Sequence, residues 1–400
     1  MSIWKKGLLR DAGQWIGGLT PTMANRQFWD NGIIPWASPK DFRGSVISKT
    51  KCMLTTKALD ETNLKYIPKD SVIVVFRSGI LRNRFPVATT GVPLTINQDI
   101  KACLVSKNVN PYFLADYLRL NESSILRDCA KVGTTVESID LEAFLNFPIP
   151  LPEKKVQDCI IGLLSTWDRA IEQTERLIAA KRRRKQGLMQ QLLTGKRRFK
   201  EFGKPLSNSD KVNDWPYIKV KALFGIRSTK GNPNLPVLSV TQDQGVVLRS
   251  SLERKINMSD ANTGGYKLVE PGDFVISLRS FQGGLEYSTV RGIVSPAYYV
   301  ISPKDPICSS FYKHFFKSKW FVKHLAAVII GIRDGKQVNY SDFASMKIPC
   351  PSLEQQQKIA DCLDSCDRET EVLCQKLDTL KEQKKGLMQQ LLTGKVSVKV

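Results

Sequence analysis

The sequence has no long hydrophobic run, very little histidine and no regular spacing of cysteine. Its longest uninterrupted apolar run, residues 325–332, spans eight residues, whereas a helix that crosses a membrane needs roughly 20 apolar residues. Arg10 and Asp11 interrupt the N-terminal segment before an apolar stretch of signal-peptide length forms. The 2 histidines and 9 cysteines form no C-x-x-C or Cys/His group with metal-ligand spacing. These absences predict a cytoplasmic protein with no membrane partner, no metal site and mostly reduced cysteines.

Positive charge, in contrast, is abundant. The chain of 400 residues carries 60 Lys plus Arg against 38 Asp plus Glu, a formal net charge of +22 that points to a polyanionic partner. Its length and its 42% apolar content are sufficient for at least two domains with their own cores. The net charge is +6 for residues 1–152, +8 for 153–200, +8 for 201–351 and 0 for 352–400.

The chain is a tandem duplication. The ten residues GLMQQLLTGK occur at Gly187–Lys196 and again at Gly386–Lys395, an offset of 199 that continues upstream and pairs, for example, Asp168 with Asp367. Two repeated segments therefore alternate with two variable ones. We predict a first variable domain, a first long helix, a second variable domain, and a second long helix with a C-terminal tail, at residues 1–150, 151–197, 198–350 and 351–400.

Each repeated segment has the heptad pattern of a coiled-coil helix, with apolar residues at alternating steps of four and three. Prolines precede the pattern, and Gly195 and Gly394 follow it as stop signals. About 40 residues at ~1.5 Å each give a helix of roughly 60 Å. We predict an antiparallel pair with pseudo-twofold symmetry, the alternative being that each helix packs only on its own domain. The predicted seam residues are Ile160, Leu164, Trp167, Ile171, Ile178, Leu188, Leu192, Ile359, Leu363, Leu373, Leu377, Leu380, Leu387 and Leu391.

The variable segments indicate a mixed α/β fold, because short β-rich runs alternate with turn residues and a few helical stretches. The predicted helices lie near residues 112–120 and 309–319. The fold class is therefore α/β (α+β): two mixed α/β domains separated by two long antiparallel coiled-coil helices. The predicted strands are Val72–Phe76, Lys101–Val105, Val237–Val240, Phe274–Leu278 and Tyr298–Ile301.

Residues 181–185 place five consecutive cations on the first predicted helix. Successive helical residues point about 100° apart, so the five side chains cannot all face one partner. Lys181 and Lys185 fall on the seam, where burying an unpaired ammonium is costly, so we expect their charged ends to reach water or a partner. Two interpretations stay open for this block: a solvated helical face, or a contact with nucleic acid or with an acidic partner subunit.

No catalytic group is recognisable in the sequence. The LTGK of both repeats lacks the other residues of a phosphate-binding loop and indicates a helix C-terminal cap. Asn110-Pro111-Tyr112-Phe113 indicates a turn followed by a helix start rather than the motif of an amino-methyltransferase. His314 and His324 stand among aromatic residues, where a packing or surface role is favoured over base catalysis.

With its motifs taken together, the chain resembles the specificity subunits of Type I restriction-modification systems. Each variable domain closes with Ile-Pro-x-Pro before its helix, and each helix ends in Gln-Gln-Leu-Leu-Thr-Gly-Lys. The acidic-Gln pair typical of the family after the prolines is Glu354-Gln355 in the second copy, whereas the first copy has Lys154-Lys155-Val156-Gln157. The remaining motifs are Gly17-Gly18-x-Thr20-Pro21, Ile34-Pro35-Trp36-x-x-Pro39-x-Asp41, Ile96-Asn97-Gln98-Asp99-x-Lys101, Pro271-Gly272-Asp273 and Gly292-Ile293-Val294-Ser295-Pro296-Ala297-Tyr298.

The resemblance implies that the chain is a DNA-reading component without chemistry of its own. Its implied partners are double-stranded DNA with a bipartite site, two methyltransferase subunits and two restriction/translocase subunits. S-adenosylmethionine, ATP and Mg²⁺ belong to those partners, and no cofactor is expected in this chain.

Two separate basic domains joined by stiff helices predict recognition of two half-sites, with phosphate contacts for affinity and base-edge contacts for sequence. Two rival functions stay open: a stand-alone nucleic-acid enzyme, and a coiled-coil scaffold that binds an acidic protein. Asn97 and Gln98 have the alternative role of structural turn residues. The candidate DNA-binding residues are Arg77, Arg82, Arg84, Asn97, Gln98, Arg279, Gln282, Arg291, Arg333, Lys336 and Gln337.

Overall fold

The computed structural model describes residues 4, 6–131, 136–203, 215–242, 244–252, 263–276, 284–304, 306–329 and 340–398. The chain divides into two units, each of which holds one variable domain and one half of each long helix. The first unit consists of Met1–Glu175 and Lys376–Val400, and the second unit consists of Arg176–Gln375.

The first unit is built on a five-stranded sheet of order β2-β9-β6-β7-β4, beside a three-stranded sheet β5-β3-β8 and the pair β1-β10. Its strands are β1 (Lys6–Leu8), β2 (Gly13–Gly17), β3 (Ile34–Ala37), β4 (Val46–Ile47), β5 (Cys52–Leu54), β6 (Val72–Val75), β7 (Val87–Thr90), β8 (Thr95–Ile96), β9 (Ile100–Val105) and β10 (Pro148–Pro150). Its helices are α1 (Thr56–Glu61), α2 (Pro111–Leu120), α3 (Glu122–Asp128), α4 (Leu141–Leu145) and the first part of α5 (Lys154–Leu192), with 3-10 helices at Leu9–Ala12, Arg26–Phe28, Pro39–Asp41 and Gly79–Arg82.

The second unit holds a four-stranded sheet of order β12-β19-β16-β17 and the pairs β11-β20, β13-β14 and β15-β18. Its strands are β11 (Tyr217–Lys219), β12 (Phe224–Arg227), β13 (Leu238–Thr241), β14 (Gly245–Leu248), β15 (Lys267–Val269), β16 (Phe274–Ile276), β17 (Glu286–Tyr287), β18 (Gly292–Val294), β19 (Tyr299–Pro303) and β20 (Lys347–Pro349). Its helices are α6 (Val220–Leu223), α7 (Ser309–Phe315), α8 (Lys319–Ile329), α9 (Tyr340–Ser345) and the first part of α10 (Leu353–Leu391), with 3-10 helices at Lys200–Phe202 and Arg249–Ser251.

The duplication extends to the sheets. The order β12-β19-β16-β17 repeats the order β2-β9-β6-β7, and β11-β20 repeats β1-β10. The predicted strands are found with ends shifted by one or a few residues, and the described part of the predicted strand at 274–278 forms β16. The predicted helix over 309–319 is instead two helices, α7 and α8, because α7 ends at Phe315 and α8 begins at Lys319.

In the sequence, Pro68-x-Asp70 before β6 resembles Pro271-x-Asp273 before β16, but the structure aligns the two segments with a displacement of one residue. The Asp70 N–H donates to Thr90 O and the Gly272 N–H donates to Ser288 O, both at 2.8 Å, so Asp70 corresponds to Gly272. Both positions have a positive φ, 62° and 96°, which an aspartate tolerates and a glycine adopts freely. The left-handed turn, and not the shared aspartate, is therefore the repeated feature.

The long helices run antiparallel in both units, which confirms the prediction. In the first unit, the N-terminal part of α5, with Ile160 and Leu164, shares a core with Leu391 near the C-terminus of α10. In the second unit, Leu192 near the C-terminus of α5 shares a core with Ile359 near the N-terminus of α10. All fourteen predicted seam residues are buried or half-buried, as expected for knobs that face a partner helix.

Each long helix ends three residues before the predicted glycine, at Leu192 and at Leu391. Gly195 and Gly394 have φ values of 70° and 69°, the left-handed conformation of a helix C-terminal cap. The LTGK segments therefore terminate the helices. At the start of α2, the Asn110 side chain accepts hydrogen bonds from the N–H groups of Tyr112 and Phe113 at 2.8 and 3.2 Å, so this motif is the helix start that the sequence indicates.

Candidate nucleic-acid interface

In the first unit, two sequence motifs meet in one loop region. The segment after β2, with Gly17 and Gly18, lies against the turn between β8 and β9. A Cβ atom at Gly18 would overlap the carbonyl oxygen of Ile96, so this close backbone approach requires glycine. The Leu19 N–H donates to the same carbonyl at 3.0 Å. Thr20 then donates a hydrogen bond to the side-chain oxygen of Gln98, which ties the first motif to the second.

Asn97 and Gln98 are adjacent but have different surroundings. Asn97 is 5% exposed. Its side-chain oxygen accepts from the Asp99 N–H at 3.1 Å, and its Nδ2 group donates to Asp99 Oδ2 at 3.0 Å. Both ends of the Asn97 amide therefore hold the turn. Gln98 is exposed and carries its amide on the outside of that turn.

Two of the predicted arginines share one geometry. Arg77 donates from Nε to Asp99 Oδ1 at 2.7 Å, and Arg82 donates from Nε to Glu137. These arginine side chains are 56% and 69% exposed. The hydrogen bond from Arg82 holds the pKa of Glu137 below its usual value, so this carboxylate stays charged. The carboxylate engages Nε in both cases, and no described residue hydrogen-bonds to the terminal Nη groups, so these donors remain for a ligand.

The other candidates are placed as follows. Arg84 donates from Nη2 to the Phe42 carbonyl oxygen at 3.2 Å, a contact that uses part of its guanidinium inside the domain. In the second unit, Arg291 repeats the geometry of Arg77, with Nε 3.1 Å from Glu270 Oε1 and a side chain that is 59% exposed. Five further candidates lie outside the described residues, namely Arg279, Gln282, Arg333, Lys336 and Gln337.

The seam lysines find carboxylates on the other long helix. In the second unit, Lys181 lies 2.7 Å from Glu369 and Lys185 lies 2.5 Å from Asp367. The first and last cations of the basic run at residues 181–185 are therefore paired within the protein. The two interpretations of that run, a solvated face or a contact with a partner, now concern its three arginines. The charged ends of both lysines were expected to reach water or a partner, and in the structure they reach the paired helix.

One of these pairs is repeated by the duplication. In the first unit, Lys384 lies 2.6 Å from Asp168. At the offset of 199, Asp168 corresponds to Asp367 and Lys185 corresponds to Lys384. Each unit therefore has the same ion pair with the helices exchanged, which is the arrangement expected for an antiparallel duplicate.

A buried glutamine near the start of each long helix was missed as a functional residue in the sequence. Gln157 donates from Nε2 to Pro152 O at 2.8 Å and to Asn108 O at 3.0 Å, and its Oε1 accepts from the Asn110 N–H at 2.8 Å. Gln356 makes the corresponding bonds, with Pro351 O at 2.8 Å and with the Cys308 N–H at 2.9 Å.

The two glutamines correspond at the offset of 199. The matching glutamine of the second copy is thus Gln356 and not Gln355, and it was recognisable from the ungapped alignment. The starts of α5 and α10 are therefore more alike than the comparison of Glu354-Gln355 with Lys154-Lys155-Val156-Gln157 indicates.

His314 is a buried packing residue, in agreement with the sequence interpretation. Its Nε2 lies 2.8 Å from Asp364 Oδ1, and Lys313 and Ser310 contact the same carboxylate. Burial lowers the pKa of His314, and the nearby cations Lys185 and Lys313 add to this effect against the opposing influence of Asp364. Burial alone would raise the pKa of Asp364, but hydrogen bonds from His314, Ser310 and Lys313 bring it below its usual value.

His324 has a surface role, because it is exposed and its ring stacks on Trp320 with a centroid distance of 3.8 Å.

Among the helices of the described residues, none is both long and apolar enough to cross a membrane. His314, Asp364 and Asp367 lie close together, but lysines already contact both carboxylates.

The chain is similar to known specificity subunits in sequence. A family model described as the Type I restriction modification DNA specificity domain matches residues 1–181 and 209–382. The EcoR124I/EcoR124II specificity subunit of Escherichia coli is 36% identical over 165 residues, which cover 41% of this chain and 40% of that relative. The MjaVIII specificity subunit of Methanocaldococcus jannaschii is 26% identical over 416 aligned positions, which cover 99% of this chain and 93% of that protein.

Solved structures agree in fold. A Type I restriction-modification S subunit from M. genitalium matches with a TM-score of 0.57 and 14% identity, over 98% of this chain and 96% of that one. A chain from a structural study of the assembly of the type I R-M system matches with a TM-score of 0.60 and 16% identity, over 98% of both chains. Because the family model covers most of the sequence in two copies, this chain belongs to the Type I restriction-modification DNA specificity family, as a DNA-recognition subunit and not an enzyme.

Proposed function

We propose that each of the two units reads one half of a bipartite site in double-stranded DNA, and that the paired helices set the spacer between the halves. The observation that carries this proposal is the duplication itself, which gives two domains of the same sheet order, each continued by a long helix. Two readers of independent sequence on one chain recognise two independent half-sites.

The charge of the domains supports contact with the phosphate backbone. Residues 1–152 carry a net charge of +6 and residues 201–351 carry +8. Such an excess supplies affinity that does not depend on sequence. This affinity decreases steeply as the salt concentration rises, because the release of DNA counterions into more concentrated salt gains less free energy. Sequence discrimination then requires a smaller set of side chains at base edges.

The exposed arginines with a buttressed Nε are the proposed base readers, together with Gln98. A guanidinium that is fixed through Nε by a carboxylate presents its two Nη groups in one orientation, which suits the O6 and N7 acceptors of guanine. Arg77 and Arg82 in the first unit and Arg291 in the second have this geometry. Gln98 offers an amide whose orientation is fixed by Thr20, and a glutamine amide pairs with adenine.

The partners of the family complete the proposal. We infer that the paired helices bind two methyltransferase subunits, that two restriction/translocase subunits join the complex, and that S-adenosylmethionine, ATP and Mg²⁺ are bound by those subunits. The site of action that we propose for the complex is the cytoplasm.

The test of the bipartite reading is a footprint of the purified full chain, or of its complex, on DNA that carries the methylation motif of the source cell. We expect two protected segments separated by an unprotected spacer. Exchange of residues 1–150 for the corresponding domain of a relative changes only one half of the motif. Protection of one continuous segment, or a change in both halves after the exchange, contradicts the proposal.

The spacer is tested by inserting one heptad into each long helix at matched seam positions, so that the pairing is preserved. Seven residues at ~1.5 Å each lengthen the pair by roughly 10 Å, which corresponds to about 3 base pairs at ~3.4 Å per step. We expect a spacer longer by that amount and two unchanged half-sites. An unchanged spacer shows that the helices do not set it.

A further inference from the structure

The end of α5 in the second unit forms a groove that the proposed DNA reading does not use. The groove, which we call the α5-end groove, has a volume of about 520 Å³ and is lined by residues of the last three turns of α5, of the segment after it and of α10. Its apolar lining includes Leu188, Phe199 and Cys362, and its cations include Arg184, Arg197 and Lys200.

Several cations line the groove. Arg184, Arg197 and Lys200 line it together with Cys362, and Arg184 and Arg197 both act to lower the pKa of the Cys362 thiol, which burial raises. Within the described residues, neither arginine nor Lys200 has an ion pair, and the neighbouring carboxylate of Glu201 is held by Lys358 at 3.3 Å. The groove therefore holds cations that form no ion pair with the described residues, although Arg184 also acts electrostatically on the carboxylate of Glu369.

The arginine pair of the groove belongs to one copy of the duplication only. At the offset of 199, Arg184 is replaced by Gln383 and Arg197 by Val396, so the end of α10 has no equivalent pair of cations. Arg184, Arg197 and Lys200 also lie outside the residues that the family model matches. The arginine pair is therefore not part of the repeated sequence pattern.

We propose that the α5-end groove binds an acidic peptide segment with a large apolar side chain, supplied by a partner subunit of the complex. The inference rests on the proposed function, because it needs such a subunit. The volume suits a ligand of a few side chains. Binding is stabilised when an apolar side chain of the ligand covers the apolar lining of the groove, which we call its floor. The surrounding cations favour a ligand that carries carboxylates. A DNA duplex offers phosphates to the cations but no side chain to the floor.

The binding test uses the full chain and a fluorescein-labelled peptide of sequence Asp-Glu-Glu-Phe-Glu-Asp, titrated by fluorescence anisotropy. We expect saturable binding that is weakened about tenfold by Arg184→Glu, because an attraction becomes a repulsion. Arg183→Glu is the matched control. This substitution changes the charge by the same amount one residue away on α5, and Arg183 does not line the groove. We expect less than a twofold effect from it.

Two further arms separate the determinants. Arg184→Lys keeps the charge and retains most of the affinity, and a peptide with Ala in place of Phe loses several-fold, because it no longer covers the floor. Equal effects of Arg183→Glu and Arg184→Glu, or no saturable binding, overturn the proposal. The melting temperature of each variant confirms that the fold is intact.

The remaining arm tests DNA as the occupant. A short duplex without a target motif is titrated against the same variants, and the proposal is overturned if Arg184→Glu weakens duplex binding more than Arg183→Glu does while the peptide fails to bind. The footprint on the target site is measured in parallel. If that footprint is absent in the unaltered chain, the proposed function fails while the peptide result stands, and the two failures are thereby distinguished.

Discussion

The buried glutamine at the start of α5 provides the sharpest test of how the domains are held to the long helices. Gln157 has no exposed surface, and it satisfies three backbone groups, the carbonyl oxygens of Pro152 and Asn108 and the N–H of Asn110. Gln157→Ala leaves all three groups without this partner, the Pro152 carbonyl in a buried position and the Asn108 and Asn110 groups in part-buried ones. At ~1–3 kcal/mol for a buried unsatisfied group, and less for groups that water can reach, we expect the free energy of unfolding of the first unit to decrease by about 2 kcal/mol or more.

The same change in the second unit has a similar predicted effect, because both backbone bonds of its glutamine are buried. Gln356 bonds to two backbone groups, Pro351 O and Cys308 N, so we expect Gln356→Ala to cost about 2 kcal/mol. The control is Gln173→Ala, since Gln173 is an exposed residue in the middle of the same α5 helix. Its cost is expected to stay within about 0.5 kcal/mol.

Urea unfolding of the full chain measures these differences, and hydrogen exchange followed by mass spectrometry locates them. The amide of Asn110 loses its acceptor in Gln157→Ala, so peptides that cover residues 108–114 should exchange faster while those of the second unit remain unchanged. A cost for Gln157→Ala below about 1 kcal/mol, or equal to that of Gln173→Ala, refutes the reasoning that these backbone groups depend on the glutamine.

Three further predictions concern pH, packing and recognition. Because the pKa of His314 is lowered in the folded state, the unfolded chain binds a proton first, and we expect the stability of the second unit to decrease as pH falls through about 6.5. The lowered pKa of Asp364 acts in the same direction at lower pH, since its contribution is present above its unfolded pKa and is lost as pH falls through its folded pKa. Melting temperatures between pH 8 and 5 should therefore fall less for His314→Gln than for the unaltered chain, and parallel curves contradict this account. Gly18→Ala places a Cβ on a backbone oxygen, so calorimetry should show a cost of about 3 kcal/mol, against less than ~0.5 for Gly44→Ala, which has open space. Arg77→Lys removes the fixed fork, and competition binding with altered sites should show ~1–3 kcal/mol less discrimination at one position of one half-site, whereas a uniform loss for all sequences indicates a phosphate contact.

The repeated part of the fold was predictable because its signals are local in sequence. Ten identical residues established the duplication, and the heptad pattern, the prolines before it and the glycines after it defined helices that are found at Lys154–Leu192 and Leu353–Leu391. The antiparallel pairing also followed, since two narrow apolar seams on one chain satisfy each other. The mixed sheets were predictable as a class, but their strand order was not, because pairing depends on contacts between distant segments.

The sequence indicates which types of polar side chain are candidates for DNA contact, but not which groups of the protein hold each of them. The candidate DNA-binding residues included Arg77 and Arg82, but nothing local indicated that Asp99 and Glu137 engage their Nε atoms. Asn97 was named beside Gln98, and only the fold placed one inside the turn and the other outside it. Local patterns identify polar side chains, whereas their availability depends on what surrounds them.

The sequence by itself determined that this protein is a duplicated, basic, two-domain chain with two heptad helices, because composition, identity at a fixed offset and periodicity are properties of the linear chain. Only the tertiary structure decided which charged side chains form ion pairs with each other. Lys181 and Lys185 meet Glu369 and Asp367, which are 188 and 182 residues away along the chain. The energy of an ion pair depends on distance in space, and folding alone sets that distance.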